Sequence, residues 1–435
     1  MKHRLLIELE DRLRFSDTVR WALCQWKLAR KPAWDPADPQ SIARVIHHLC
    51  NAARLATSEQ SMLAIEAEIA QHVRRLDGRP VNWKEFEPTA DSKCVQKAVL
   101  LKPWVSAREK GVVFVSFEYQ WMRLLCHCDL AQFAARYLLV VAPTWSPPHA
   151  LFNSVFPVVY PAPIFSLISN RADLEIFPRF SPKNMMVPLF ASNWVNPDWY
   201  APVPFAEKNI DLLMLANFGK YKRHHALFRA LRDMPRALKV VLIGTHNGSR
   251  TRDVLMAEAA AFGVADRFEL RESVSDAALN EALRHAKVSL ILSRREGSCV
   301  AAVEAMFANT PVGLLEDAAI GSRVFINEAT GRFLRHDHLG AQLTEFIAEA
   351  GRYAPRQWVL DHEVSCFGST RKLNQTLKDH QLAAGQEWTV DIAPHHWRPD
   401  PQLVHAADRV RLKPAFEDIR QRLGVEIGMP QLYEA

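Results

Sequence analysis

The strongest constraint in this sequence is a regular alternation of strand-like and helix-like segments that begins at Asp211. The strand-like segments are mostly apolar and read DLLMLANF, LKVVLIG, RFELRE, VSLILS and PVGLLE. Amphipathic segments such as RDVLMAEAAAF and DAALNEALRHA lie between them. Apolar strands joined by helices are typical of a parallel sheet covered by helices on both faces. The pattern predicts a doubly wound, Rossmann-like α/β domain over residues 208–352.

The rest of the chain is predicted to form three further regions. Residues 1–94 are expected to be a helical extension, because apolar residues recur every three or four positions in LLIELEDRLRF and SMLAIEAEIAQHVRRL. Residues 95–207 contain short β-rich runs, among them GVVFVSF and YLLVVAP, which predict a second Rossmann-like domain. Residues 353–435 are expected to pack back on that second domain.

Composition and charge exclude several classes of protein. The 435 residues are 49% hydrophobic and 23% charged, as in an ordinary globular protein. The net charge of +6 is small for this length and no polybasic arm is present, so we expect no nucleic-acid partner. The seven cysteines are scattered without a CxxC pair, so no zinc site, redox centre or disulfide framework is predicted.

The sequence also bears on membranes and location. The N-terminal MKHRLLIELEDRLRF contains acidic residues where a signal peptide would be apolar. The apolar stretch from Tyr137 to Ile168 is interrupted by prolines, so we expect strand-and-turn segments there and no transmembrane helix. We therefore expect a cytoplasmic protein, and a peripheral association with the inner face of the membrane is left open.

The loop after VSLILS carries the most informative residues. In a doubly wound domain, ligands bind beyond the carboxyl ends of the strands. Glu296 is predicted to lie in that turn, and Glu304 about two turns into the following helix, roughly 12 Å further along its axis. Backbone N–H groups at the start of the helix can bind a diphosphate, and a glycine allows the ligand to approach closely. The residues predicted to form this binding turn are Gly297, Ser298, Cys299 and Val300.

By themselves, two glutamates in such positions could be ordinary helix acids. The surrounding sequence, EGSCVAAVEAMFANTPVGLL, resembles the E-x7-E motif of retaining GT-B glycosyltransferases, in particular glycosyltransferase family 4. The resemblance covers about residues 211–352 well and the N-terminal half loosely. It implies that Glu296 contacts the hydroxyls of the donor sugar and that Glu304 holds the ribose of the nucleotide. It also implies a GT-B architecture, with two Rossmann-like domains facing a cleft: residues 95–207 on the acceptor side and residues 208–352 binding the nucleotide sugar.

A basic loop, GKYKRHH, follows the first strand of the 208–352 domain. Lys222 is expected to stabilise the charge of the departing diphosphate, and Arg223 could support it. Members of the family usually carry an arginine followed five residues later by a lysine. Here Asn217 stands at the first of these positions and is a candidate for donor binding, but it brings no positive charge to the diphosphate. In the next loop Gly244 ends a strand and is a further candidate for donor binding, with a plain turn as the alternative.

Residues for the acceptor are harder to recognise. His149 follows the strand YLLVVAP and is a candidate catalytic residue, with an ordinary loop residue as the alternative. Glu118 follows the strand GVVFVSF, where it could orient an acceptor hydroxyl or cap a helix.

We expect a retaining glycosyltransferase that moves a hexosyl group from a nucleotide sugar to a hydroxyl of a carbohydrate, lipid-linked or small-molecule acceptor. No D-x-D pair, GxGxxG or P-loop motif occurs, so neither a metal nor any cofactor besides the donor is expected. The alternative is a catalytically silent homologue with the same fold that binds glycan or organises a synthesis complex.

Overall fold

The computed structural model describes residues 2–397 and 400–433, which form two compact units. Unit 1 contains the stretch up to Arg14 together with Val195–Ser365. Unit 2 contains Phe15–Trp194 and the chain from Cys366 onward. The sequence-based divisions at 94/95, 207/208 and 352/353 remain predictions.

The N-terminal region is helical, as predicted. Its helices are α1 (Lys2–Phe15), α2 (Asp17–Ala29), α3 (Pro39–Ala53) and α4 (Glu59–Leu76). Local capping explains several of these boundaries. The Ser16 hydroxyl accepts from the N–H of Val19 before α2, and the Asp38 carboxylate accepts from the first amides of α3. The apolar faces of α3 and α4 pack in the core of unit 2.

The central sheet of unit 2 has the order β2-β3-β4-β5-β6, with β2 antiparallel to β3 and the following pairs parallel. β3 and β4 are buried along their whole length, which is why they read as unbroken apolar runs. The elements from Cys94 to Phe190 are β1 (Cys94–Val95), β2 (Ala98–Lys102), β3 (Gly111–Ser116), α5 (Glu118–His127), α6 (Leu130–Arg136), β4 (Tyr137–Ala142), α7 (Leu151–Val159), β5 (Ile164–Ile168), α8 (Asp173–Phe180) and β6 (Asn184–Phe190).

Unit 1 contains a parallel sheet with the order β12-β11-β10-β7-β8-β9. The chain starts in the middle of this sheet at β7, moves outward to β9 and then returns to β10 on the other side. Its elements are β7 (Ile210–Leu215), α9 (His224–Leu231), β8 (Val240–Gly244), α10 (Arg252–Phe262), β9 (Glu269–Glu272), α11 (Asp276–His285), β10 (Ala286–Ile291), α12 (Val300–Phe307), β11 (Val312–Leu315), β12 (Gly331–Leu334), α13 (Leu339–Ala348) and α14 (Pro355–Asp361).

The C-terminal segment belongs to unit 2. It consists of α15 (Cys366–Ala383), a hairpin of β13 (His395–Trp397) and β14 (Pro401–Leu403), α16 (Ala406–Leu423) and β15 (Glu426–Ile427), which pairs with β1. Leu373 and Leu412 are fully buried in the same core as the strands of unit 2.

The apolar stretch from Tyr137 to Ile168 forms β4, α7 and β5 in place of strand-and-turn segments alone. Pro157 lies in the last third of α7, where the helix is about to end. In the described part of the chain, no helix is both long enough and apolar enough to cross a bilayer.

Candidate functional site

The carboxyl ends of β7 and β10 carry the site predicted for the donor. These strands are parallel neighbours, so the loops that follow them meet at one edge of the sheet. There the ammonium group of Lys222 donates to both carboxylate oxygens of Glu296, at 2.7 Å each. The structure therefore brings together the two residues to which the sequence assigned the central roles.

This ion pair is shielded from solvent. Glu296 is 7% exposed and the side chain of Lys222 is 15% exposed. Burial by itself would lower the pKa of Lys222, but the neighbouring Glu296 carboxylate outweighs it and the pKa is raised. Lys222 is therefore a firmly charged cation at neutral pH.

The turn that carries Glu296 is anchored to the segment after β11. The N–H of Glu296 donates to the carbonyl of Ala319, and the carbonyls of Gly297 and Ser298 accept from Gly321 and Ser322. These backbone hydrogen bonds hold the turn against the next loop of the sheet. A rigid turn of this kind can position a carboxylate without relying on its own side-chain packing.

The helix after this turn begins later than the sequence predicted. Cys299 has a φ of 55°, a left-handed conformation that interrupts the helical geometry, so α12 starts at Val300. Glu304 consequently lies about one turn into the helix, and the estimate of two turns was wrong. The figure of roughly 12 Å of helix rise between the two glutamates does not apply either, because three of the seven intervening residues precede the helix.

Cys299 is not suited to act as a nucleophile at this turn. Burial, helped by the nearby Glu296 charge, raises the pKa of its thiol to about 12. A thiol with that pKa is protonated at neutral pH, and the thiolate is the nucleophilic form.

Glu304 has a partner that the sequence analysis did not identify. The Tyr200 hydroxyl donates to Glu304 Oε1 at 2.8 Å. Tyr200 is 2% exposed, and its carbonyl accepts a hydrogen bond of 2.6 Å from Arg356 Nη1. Tyr200 lies 104 positions before Glu304 and outside the alternating pattern, so no local signal in the sequence indicates this contact.

Arg223 is paired with α1. Its guanidinium donates to both oxygens of Asp11, with Nε to Oδ1 at 2.9 Å and Nη2 to Oδ2 at 2.8 Å. Burial would raise the pKa of Asp11, but hydrogen bonds from His225 and Arg223 hold it well below its usual range. In the same loop, Lys220 donates to both carboxylate oxygens of Glu10 at 2.7 Å. Asp11 thus neutralises Arg223, which the sequence analysis had named as a second cation for the diphosphate.

Asn217 and Gly244 have structural roles in this region. The Asn217 amide donates to the Tyr221 hydroxyl at 2.8 Å and accepts from the N–H of Gly219 at 3.0 Å, which holds the basic loop in shape. A Cβ atom at Gly244 would lie 2.0 Å from the Ala216 carbonyl oxygen, so the close approach of β7 and β8 requires glycine. Their assignment to donor binding remains a prediction.

The acceptor candidates belong to unit 2. His149 is fully buried, and its Nε2 lies 2.7 Å from Glu66 Oε1. Arg179 pairs with the other oxygen of Glu66 at 2.8 Å. This arrangement has the features of a structural ion-pair network linking α4 to the following elements, and the catalytic role of His149 remains a prediction.

Glu118 links the ends of two strands. Its Oε2 accepts from both the N–H and the hydroxyl of Thr144, at 3.0 and 2.8 Å. Glu118 and His149 line a cavity of about 130 Å³, together with His47 of α3 and Arg54, which directly follows α3. The structure therefore brings the two acceptor candidates to one cavity at the carboxyl ends of β3 and β4.

Part of unit 1 matches a known protein family. Residues 196–349 match the family model described as glycosyl transferases group 1. Over 204 residues, the chain is 26% identical to the GDP-mannose:cellobiosyl-diphosphopolyprenol alpha-mannosyltransferase of Komagataeibacter xylinus. The alignment covers 46% of this chain and 51% of the relative, so the chain spans about half the length of the curated protein that it matches.

Solved structures with a similar fold include HepE of Anabaena. Its complex with UDP and glucose has a TM-score of 0.51 and 14% identity, over 80% of this chain and 97% of HepE. Its complex with UDP has a TM-score of 0.50, also at 14% identity, over 80% of this chain and 98% of HepE. This likeness concerns the fold, and it confirms the predicted α/β, GT-B-like class. The match to the family model therefore concerns residues 196–349, and the likeness to HepE concerns the fold alone.

Proposed function

We propose that the protein transfers a hexosyl group from a nucleotide sugar to a hydroxyl acceptor, with retention of the anomeric configuration. The observation that carries the proposal is the buried pair of Lys222 and Glu296 at the carboxyl edge of the unit 1 sheet. Both residues, and Glu304 with them, lie inside the segment that matches the glycosyl transferase family model.

In this proposal each residue binds a different part of the donor. Lys222 and the first amides of α12 contact the diphosphate, since a cation and a helix N-terminus both favour negative charge. Glu296 accepts hydrogen bonds from the sugar hydroxyls. Glu304 accepts from the ribose, with its carboxylate held by Tyr200. The acceptor-side roles of His149 and Glu118 are proposed for the cavity that they line in unit 2.

The proposed chemistry is a same-face displacement without a covalent intermediate. The bond between the anomeric carbon and the diphosphate oxygen breaks, and the acceptor oxygen forms the new bond. The acceptor proton passes to the departing phosphate, so atoms and charges balance. The protonated thiol of Cys299 fits this route better than nucleophilic catalysis.

Names of the relatives suggest the class of acceptor and donor. The Komagataeibacter xylinus enzyme is named for GDP-mannose and a diphosphopolyprenol-linked disaccharide, and HepE was solved with UDP and glucose. We propose a carbohydrate or lipid-linked acceptor for this chain. We also propose a cytoplasmic protein that associates peripherally with the inner face of the membrane.

Release of nucleoside diphosphate from a panel of UDP-, GDP- and ADP-sugars tests the transfer reaction. The assay is run with and without a lipid-linked saccharide fraction. We expect release with one class of donor, and at least a tenfold lower rate for Lys222→Met. Lys239→Met is the matched control, because Lys239 is an exposed lysine of the same unit just before β8. NMR of the product then shows whether the configuration at the anomeric carbon is retained.

The same assay tests metal dependence. We propose that Lys222 and helix amides carry the diphosphate charge, so EDTA should leave the rate nearly unchanged. Loss of activity on chelation, restored by manganese, would contradict this part of the proposal.

A silent homologue is the second candidate. It is favoured by Asn217, which supplies no charge to the donor and instead holds the basic loop through Tyr221 and Gly219. Binding of a nucleotide sugar without release of nucleoside diphosphate under all assay conditions would support this candidate.

A further inference from the structure

The side of α1 that faces solvent carries a row of leucines. The leucines at positions 5, 9 and 13 are spaced four residues apart, and the leucine at position 6 lies beside them. These side chains therefore share one face of the helix. They are 46–63% exposed. Large exposed apolar side chains grouped on one surface mark an interaction site more often than scattered ones do. The leucine row consists of Leu5, Leu6, Leu9 and Leu13.

The opposite face of α1 is fixed to unit 1. Asp11 pairs with Arg223, Glu10 pairs with Lys220, and the Arg4 guanidinium lies 5.5 Å from the centroid of the Phe262 ring. These contacts set the rotation of the helix about its axis. The leucine row is therefore presented outward by the folded unit.

The charged side chains of α1 indicate which kind of surface would contact the leucine row. The acids of α1 are all paired: Glu8 with Arg4, and Glu10 and Asp11 with the basic loop of unit 1. By contrast, Lys2 and Arg12 have no ion-pair partner among the residues that the structure describes. The unpaired charges of α1 are thus cationic, and they suit an anionic surface.

The next helix has side chains of the same kind. On α2, Trp21, Leu23 and Trp26 are 45–54% exposed, and the Arg30 guanidinium lies 4.6 Å from the Trp26 ring centroid. Tryptophan with an adjacent cation is typical of side chains at the boundary between lipid headgroups and acyl chains.

We propose that α1 docks on an anionic lipid bilayer, with the leucine row among the upper acyl segments and Lys2 and Arg12 against lipid phosphates. The inference rests on the membrane association proposed above and names the surface responsible for it. A helix of this length, with an apolar face and cationic flanks, can lie in the plane of the interface. A second copy of the chain fits less well. Four partly exposed leucines present on the order of a few hundred Å², whereas a stable dimer buries roughly 800 Å² per partner.

Sedimentation of the full chain with vesicles tests the proposal. Vesicles of phosphatidylcholine alone are compared with vesicles containing an equal part of phosphatidylglycerol. We expect the parent to bind the anionic vesicles more tightly, and the binding to weaken with added salt. The variant Leu5→Ser/Leu9→Ser/Leu13→Ser should bind at least about tenfold more weakly, because it loses apolar insertion.

A matched variant controls for the general loss of surface apolarity. Leu360→Ser/Leu382→Ser/Val410→Ser removes three side chains of similar exposure from α14, α15 and α16, and it should bind vesicles like the parent. Equal thermal unfolding of both variants excludes a folding defect.

Three results would overturn the docking surface. They are no binding of the parent to anionic vesicles, equal binding by the leucine variant, and a parent dimer that the leucine variant converts to monomer. Nucleoside diphosphate release is measured separately, in solution. If the parent binds vesicles but turns over no donor, the transfer reaction is wrong and the docking surface stands.

Discussion

At the scale of single residues, the pairing of Glu296 with Lys222 couples the functions proposed for the two side chains. The lysine is neutralised by the carboxylate before any donor is present. Replacing one partner therefore changes both the charge offered to the diphosphate and the contact offered to the sugar.

Glu296→Gln should lower turnover by roughly 10–100-fold, because its proposed contacts are sugar hydroxyls that shift as the anomeric centre flattens. Affinity for the nucleoside diphosphate alone should not fall, since Lys222 loses a competing anion. Steady-state kinetics and calorimetry measure the two quantities. Glu269→Gln, at a half-exposed glutamate of β9, is the control. Unchanged turnover, or an equal fall in affinity for the nucleotide without its sugar, would remove Glu296 from the reaction centre.

Glu304→Ala should weaken nucleotide binding by about 1–3 kcal/mol, the range expected for hydrogen bonds to a charged group. Calorimetry with the cognate nucleotide measures the loss. Tyr200→Phe removes the same internal hydrogen bond but keeps the carboxylate, so it should bind more tightly than Glu304→Ala. If Glu304→Ala folds and binds like the parent, Glu304 has no role in holding the ribose.

At the scale of elements, α1 is a structural part of unit 1, attached through Asp11 and Arg223. Both side chains are largely buried, at 12% and 5% exposure. Removing one charged side chain of such a pair lowers the stability of the fold, because the other charge then remains buried without a partner.

Asp11→Asn should destabilise the protein by roughly 2–3 kcal/mol and lower its Tm by several degrees. Asp266→Asn is the matched control, since Asp266 forms an exposed pair with Arg236 in the same unit and should cost less than about 0.5 kcal/mol. Differential scanning calorimetry compares the two variants with the parent. Equal Tm values for both would mean that the contacts of α1 add nothing to the stability of unit 1.

At the scale of the whole molecule, each unit buries a histidine in a neutral state. Burial lowers the pKa of His224 in unit 1 and of His395 in unit 2 to about 3. His395 stacks on Trp194, with ring centroids 4.2 Å apart, and packs against Phe114 at 4.6 Å. An imidazole in such surroundings cannot gain a proton without cost.

Stability should therefore fall as the pH decreases from 7 to 5. In the unfolded chain a histidine has a pKa near 6.5 and binds a proton in this range. In the folded chain His224 and His395 stay neutral over the same range. The contribution of each buried histidine to the free energy of unfolding is fully present above about pH 6.5. It is lost as the pH falls, by up to about 1.4 kcal/mol per pH unit for each histidine. Thermal unfolding of His395→Phe should show a flatter pH dependence than the parent. A slope identical to that of the parent would contradict the depressed pKa.

Much of unit 1 could be predicted from the sequence alone. The apolar runs that form β7, β8 and β10 have a periodicity that a parallel, covered sheet imposes locally, so they can be recognised without knowledge of the partner strands. The positions of Lys222 and Glu296 follow from the same logic. Both come shortly after a strand, and neighbouring parallel strands end at the same edge of a sheet.

Other features depend on partners that are distant in the sequence, and only the tertiary structure decided them. The start of α12 was misplaced because the conformation of Cys299 belongs to a turn held by backbone hydrogen bonds from Gly321 and Ser322. Such bonds leave no periodic signal in the side chains.

The sequence by itself determined the α/β class, the succession of strands and helices along unit 1, and the two charged residues at the carboxyl edge of its sheet. Hydrophobic periodicity and strand ends are local properties, so they can be recognised without the tertiary structure. The tertiary structure decided that Asp11 pairs with Arg223, that Tyr200 donates a hydrogen bond to Glu304 and that Glu66 pairs with His149. These pairs are 212, 104 and 83 positions apart. An ion pair or hydrogen bond requires approach within about 3 Å, and nothing in a linear pattern specifies which distant side chain will make that approach.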